Sequence, residues 1–213
     1  MNHRIFIAVN LPEDARKKLS EYQEKWPDLP VRWTKQYNIH ITLVFLGYVA
    51  DNDILEICKT VEGIVLKNRS FPIKLNKIMY GPPKKTPPKS MNASHSFPRS
   101  PYPSAENRVP RMIWAEGEES KELGKLQSEL EDALFDAPTK GIKTKNRVYT
   151  PHITLGRMKT WQWKQMEPEE RPEVDEEINL TFDVNSIEVM ESVLKSGGPD
   201  YTILESYALA DEG

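Results

Sequence analysis

The sequence predicts an α+β fold built mainly on antiparallel sheet, and three observations carry that reading. Strand-like and helix-like segments are mixed without the regular alternation that marks a doubly wound parallel sheet. Toward the C-terminus, strand patterns at Ile178–Val184, Ser186–Val193 and Tyr201–Leu209 follow one another. The last two are separated by Ser196-Gly197-Gly198-Pro199-Asp200, a turn composition that makes a hairpin. Finally, each half of the chain contains a strand, a helix and then the same four-residue word, His-Ile-Thr-Leu, at His40–Leu43 and at His152–Leu155.

The individual elements follow from local patterning. Arg4-Ile5-Phe6-Ile7-Ala8-Val9 reads as a first strand. Pro12 then opens a helix, since the first helical turn tolerates a missing N–H. Ala15, Leu19, Tyr22 and Trp26 recur at helical spacing and form its apolar stripe. Val31–Thr34 is a short strand, and the first His-Ile-Thr-Leu strand ends at Gly47. A helix from about Asp51 carries Ile54, Cys58, Val61 and Val65 on one face. Phe71–Tyr80 and Met112–Ala115 read as strands. A helix from about Glu118 buries Leu123, Leu126, Leu130 and Leu134, and the second His-Ile-Thr-Leu strand ends at Gly156.

The repeated word is the most informative feature. The chance that a given histidine is followed by Ile-Thr-Leu is roughly a few in ten thousand, yet two of the four histidines are. In a strand, successive side chains point to opposite faces, so His40 and Thr42 share one face while Ile41, Leu43 and Phe45 take the other. His152 and Thr154 repeat the division against Ile153 and Leu155. Packing alone has no need to reproduce imidazole, hydroxyl and both apolar neighbours together. Two such pairs facing each other would surround a small anion, such as a phosphate, with two proton-transfer groups and two hydroxyl donors. Arg157 adds a guanidinium fork suited to phosphate. His3, near a chain end, and His95, in a proline-rich stretch, read as unrelated to this site.

Composition narrows the function classes. The 213 residues suffice for a good core in one domain or two small lobes. A net charge of −3 is too mild to name a partner. No run approaches the roughly 18–20 apolar residues that span a bilayer, and the N-terminus lacks the apolar core of a secretion signal. One cysteine, Cys58, cannot form an internal disulfide and reads as a small core residue. A cytoplasmic protein with no membrane partner is the expectation. Metal-ligand spacings are missing, so no metal and no cofactor are expected.

Three polar stretches interrupt the pattern. Gly81–Pro110 holds eight of the seventeen prolines and has Lys84, Lys85, Lys89, Arg99 and Arg108 against Glu106 alone. Lys140, Lys143, Lys145 and Arg147 stand without an acidic neighbour before the second motif. Both basic stretches could attract a polyanion, although solubility explains the first equally well. Glu167–Glu177 is acidic and reads as a solvated loop.

The residues above resemble a known group. The paired His-Ile-Thr-Leu words, with Arg-Ile-Phe-Ile-Ala-Val near the start, are similar to the 2H phosphoesterase superfamily, marked by two His-x-Thr/Ser-x motifs. Arg32-Trp33, Asn38–Gly47 and Pro151–Arg157 resemble its RNA 2′,3′-cyclic phosphodiesterase branch, also called 2′-5′ RNA ligase-like, and Ser192–Tyr201 resembles that branch's C-terminal hairpin. The likeness spans essentially the whole chain, with the proline-rich insert at about 82–108 as its main departure. It implies one bilobal domain over residues 1–213, with two pseudo-symmetric lobes of antiparallel sheet backed by helices and both motifs lining a cleft. It also implies a monomer acting on RNA ends or nucleotides that bear a 2′,3′-cyclic phosphate. In that scheme His40 is proton donor and His152 proton acceptor, Thr42, Thr154 and Arg157 bind substrate, and the product is a 2′-phosphomonoester. The motifs are symmetric, so the residues themselves do not assign donor and acceptor. Two alternatives stay open: a nucleotide- or RNA-binding module without turnover, and a related enzyme acting on another small phosphodiester.

Overall fold

The computed structural model describes residues 1–82, 109–135, 149–196 and 198–210. Its elements are β1 (Asn2–Asn10), α1 (Glu13–Gln23), β2 (Val31–Trp33), β3 (His40–Ala50), α2 (Asp51–Val65), β4 (Phe71–Gly81), β5 (Met112–Gly117), α3 (Lys121–Leu134), β6 (His152–Met158), α4 (Thr160–Gln165), β7 (Asp175–Val184), β8 (Ser186–Lys195) and β9 (Gly198–Ala208). The nine strands join in one sheet of order β7-β4-β5-β6-β3-β1-β8-β9, with β2 added beside β6. Every registered strand pair is antiparallel, as the sequence predicts.

The strand order is nearly palindromic. One arm, β3-β1-β8-β9, meets the other, β6-β5-β4-β7, at the two motif strands. The arms are joined by a single registered pair, Ile41 opposite Ile153. Beyond it, the same edge of β6 is taken by β2, with Trp33 opposite Gly156 and Val31 opposite Met158. The helices knit the arms together by crossing over. α1 follows β1 but packs on β6 and β7; α3 follows β5 but packs on β3 and α2.

Local sequence explains most boundaries. Ser120 accepts a hydrogen bond from the Leu123 amide at 3.1 Å, so α3 starts at Lys121 rather than at Glu118. Leu123, Leu126 and Leu130 are fully buried, and truncating any one to alanine costs about 2–5 kcal/mol. Cys58 is buried among apolar neighbours, as its place in the stripe predicts. Among the described residues no helix is long and apolar enough to cross a membrane.

Four readings need correction. Neither motif strand stops at its glycine: β3 continues through Gly47 to Ala50, and β6 through Gly156 to Met158. Gly47 adopts φ of 77° within β3 at a pairing irregularity, a geometry open to glycine. A Cβ on Gly156 would stand 2.4 Å from Val31 Cγ1, so its glycine admits β2. The acidic stretch Glu167–Glu177 is not all loop. It follows α4, too short to show a helical period, and its end opens β7, where Asp175 pairs with Lys77 at 2.6 Å and Glu176 pairs with Lys25. His3 is not frayed: its ring lies between Asp51 at the start of α2 and Glu191 of β8, with Nδ1 2.7 Å from the latter.

The fourth correction concerns Phe45, predicted on the packed face but 64% exposed. Pairing along β1 and β3 shifts between Ile7 and Ala8, leaving Leu43 as an extra residue, and Phe45 then lies opposite Phe6. An extra residue in one strand reverses the side-chain alternation beyond it. β6 carries the same irregularity at Leu155, between Ile113 and Trp114 of β5. Residues 83–108 and 136–148 lie outside the described residues, and with them most of the proline-rich insert, His95 and the Lys140–Arg147 stretch.

Candidate active site

The single β3–β6 pair decides the geometry. With Ile41 opposite Ile153, one step in either direction sets His40 across from Thr154 and Thr42 across from His152. The four motif side chains therefore form a square on one face, each imidazole facing the other motif's hydroxyl. All four are partly buried, while Ile41 and Ile153 beneath them are fully buried.

The ladder goes no further because the next carbonyls have other partners. Tyr149 donates its hydroxyl to the Thr42 carbonyl at 2.7 Å, and Thr34 donates its hydroxyl to the Thr154 carbonyl at 2.8 Å. The two bonds are reciprocal. A residue just ahead of the second motif holds the first, and a residue just ahead of the first motif holds the second. Burial pushes the Tyr149 phenol up to about 12, so it remains a donor throughout neutral pH.

Both imidazoles are oriented in the same way. His40 Nδ1 lies 2.7 Å from the Asn38 carbonyl, and His152 Nδ1 lies 3.3 Å from the Thr150 carbonyl, in each case two residues upstream. A carbonyl only accepts, so Nδ1 carries the proton and Nε2 is left for chemistry. His40 Nε2 rests 2.9 Å from Thr42 Oγ1. Asn38 is itself buried and donates to the Pro199 carbonyl at 2.9 Å, tying the start of β9 to the first motif.

Aromatic rings hold the imidazoles at the sides. Phe6 and Tyr201 flank His40, with ring centroids 5.2 and 5.1 Å away. Trp114 and Tyr149 flank His152 at 4.2 and 6.1 Å. None of the four is a candidate on sequence grounds. Trp114 enters through its register opposite Thr154, and Tyr201 through a curled hairpin, so strand patterning carries no signal for either. Burial pushes the His40 pKa down, and the Arg157 charge pushes it the same way; the bond to Asn38 opposes them.

Arg157 is exposed and rejoins the His-Thr face because of the irregularity at Leu155. Its guanidinium lies 3.8 Å from Met112 Sδ, and its register partner on β2 is Arg32. Arg157, Arg4 and Arg32 all lower the Tyr201 pKa, against a larger upward push from burial, which places three positive charges around that ring. The arrangement thus offers two imidazoles held through Nδ1, with the Nε2 of His40 resting on the Thr42 hydroxyl, two hydroxyl groups, and Arg157 at the border. Chemically, such a set can exchange protons through its imidazoles and hold an anion through its hydroxyls and charge.

Comparison with known proteins agrees with that description. Residues 9–90 match the family model of LigT-like phosphoesterases. The chain is 26% identical over 205 residues to an RNA 2′,3′-cyclic phosphodiesterase of Methanocaldococcus jannaschii, covering 96% of this chain and 99% of that one. It is 28% identical to the Thermotoga maritima protein of the same name, covering 94% and 92%. A crystal structure from Thermus thermophilus superposes with a TM-score of 0.73 at 25% identity, over 99% and 100% of the two chains. E. coli LigT complexed with 3′-AMP superposes with a TM-score of 0.65 at 23% identity, over 98% and 99%. Across nearly its whole length the chain is thus similar to proteins named RNA 2′,3′-cyclic phosphodiesterase, and over residues 9–90 to the LigT-like phosphoesterase family.

Proposed function

We propose that this protein hydrolyses 2′,3′-cyclic phosphates, on RNA ends or nucleotides, to 2′-phosphomonoesters without a metal. The observation that carries the reading is the matched orientation of His40 and His152, each with Nδ1 on a backbone carbonyl two residues upstream, which makes Nε2 the nitrogen of proton transfer, in His40 once it exchanges Thr42 for the substrate. The activity for which the relatives are named, RNA 2′,3′-cyclic phosphodiesterase, supports the substrate class.

In this scheme the cyclic phosphate sits over the square. Neutral His152 Nε2 takes a proton from water as the water oxygen attacks phosphorus. The bond to the 3′ oxygen breaks, and that oxygen takes the proton from His40 Nε2. Thr42 and Thr154 donate to the non-bridging oxygens as their charge grows, and Arg157 balances the phosphate charge. A 5′-hydroxyl in place of water would yield a 2′-5′ linkage by the same proton transfers.

A donor must begin protonated, whereas the free site favours neutral His40. The bound phosphate anion supplies the correction, because an opposite charge within a few ångströms raises an imidazole pKa. The decisive experiment is product analysis on a 2′,3′-cyclic mononucleotide in the presence of a chelator. A 2′-monophosphate is expected; a 3′-monophosphate would reverse the bond that breaks, and activity restored only by a divalent metal would end the metal-free scheme. His40→Ala and His152→Ala should each lower the rate about 10²–10⁴-fold. Near-normal turnover in either variant would remove that residue from the mechanism.

A further inference from the structure

Phe45 occupies the position in the first motif strand that Arg157 occupies in the second. Each lies five residues after its histidine and beyond the same one-residue irregularity, and each is exposed on the His-Thr face. One arm therefore offers a cation there and the other an aromatic ring. The aromatic arm continues outward. Phe6 lies 5.2 Å from His40 and 6.0 Å from Phe45, so the three rings form a row leaving the catalytic imidazole. Three residues further along β3, Tyr48 stands opposite Arg4.

This strip is unusual for a protein surface. Phe45 is 64% and Tyr48 75% exposed, so most of each ring meets solvent. Arg4 is exposed and makes no ion pair among the described residues. Exposed rings beside an unpaired cation are the combination that single-stranded nucleic acid uses, because bases stack on rings irrespective of sequence while the backbone needs positive charge. Opposite β3, β1 advances four residues from Asn10 to Phe6 and six to Arg4, so at about 3.3 Å per residue the strip runs roughly 13 Å from His40 to Phe45 and roughly 20 Å to Tyr48.

We infer that Phe45, Tyr48 and Arg4 form a track for the nucleotides preceding the reacting end of a single-stranded RNA, leading away from His40 along the first arm. The inference rests on the cyclic-phosphodiesterase reading and commits it to an oligonucleotide substrate. A cyclic mononucleotide would fill the square alone; an oligonucleotide ending in the same cyclic phosphate would also stack along the strip.

The test compares a 2′,3′-cyclic mononucleotide with a tetranucleotide ending in the same cyclic nucleotide. The tetranucleotide should show a KM about tenfold lower or better, consistent with one stacked base. Phe45→Leu with Tyr48→Leu should erase that advantage, with the mononucleotide reporting that the reacting centre is intact. Arg4→Gln should reduce the slope of log kcat/KM against log salt by about 0.7, one phosphate contact on a single strand, for the tetranucleotide alone. Equal KM values for the two substrates, or equal losses on both in the variants, would overturn the track. If neither substrate turns over, the activity reading itself fails, and the two failures are thereby told apart.

Discussion

The two motif arms share a backbone plan and differ in what they present. Both carry His, Thr, the irregularity three residues after the histidine, and an exposed side chain five residues after it. In the first arm, Thr42 rests on His40 and the outer position is Phe45. In the second, the Thr154 hydroxyl meets the Met112 sulfur at 3.9 Å, and the outer position is Arg157. Equal strands thus end in unequal outer positions, one aromatic and one cationic. A substrate with a base on one side and a phosphate on the other needs that inequality.

The sharpest way to break the comparison is to remove the hydroxyls separately. Losing one donor to a developing oxyanion costs about 10²–10³-fold in kcat. Thr42→Val should lie near the upper end, since it also releases His40 Nε2, and Thr154→Val near the lower. Equal losses in single-turnover rates would show that the resting bond between Thr42 and His40 has no catalytic consequence.

The reciprocal bonds between the arms come next. Tyr149→Phe and Thr34→Val each remove one hydrogen bond, worth about 0.5–1.5 kcal/mol of stability, readable as a lowered Tm. Misplacing reacting groups by 1 Å can cost about 10²-fold, so a partial opening should lower kcat about tenfold in either variant while KM stays nearly level. Unchanged kcat with lowered Tm would assign these bonds to stability alone.

A smaller effect sharpens the roles of the histidines. Arg157→Gln removes a charge that holds the His40 pKa down, so that pKa should rise. If His40 is the donor, the alkaline limb of the kcat/KM profile moves to higher pH. If His40 is the acceptor, the acid limb moves instead. An unmoved profile would separate Arg157 from His40 altogether.

The smallest effect lies away from the site. Glu191 first, and Asp51 second, hold the His3 pKa above its ordinary 6.5. A raised folded-state pKa stabilises the protein fully below the unfolded value, and that stability fades as pH rises through the folded value. Tm should decline over that interval in the native protein and less so in His3→Gln. Parallel curves would mean that the His3 contacts add nothing measurable.

Much of this is legible in the residues because it depends on short-range periodicity. The short apolar run Ile5-Phe6-Ile7-Ala8-Val9 and the leucine stripe of α3 announce strand and helix without help from the rest of the chain. The repeated His-Ile-Thr-Leu word likewise announces His40, Thr42, His152 and Thr154 as partners. Phe45 defeats the same reasoning for a definite cause. A period of two holds only until an extra residue enters one strand, and whether Leu43 is extra depends on pairing with β1. Trp114, Tyr149 and Tyr201 escape it because each reaches an imidazole from another element.

The sequence by itself determined the element types, the antiparallel character and the identity of the repeated imidazole–hydroxyl pairs, since all of these follow from the spacing of side chains along one segment. Only the tertiary structure decided that β3 and β6 touch at one registered pair, that each histidine faces the other motif's threonine, and that one arm ends in Phe45 where the other ends in Arg157. Register between distant strands is a property of the pairing, set by long-range contacts that no local window contains.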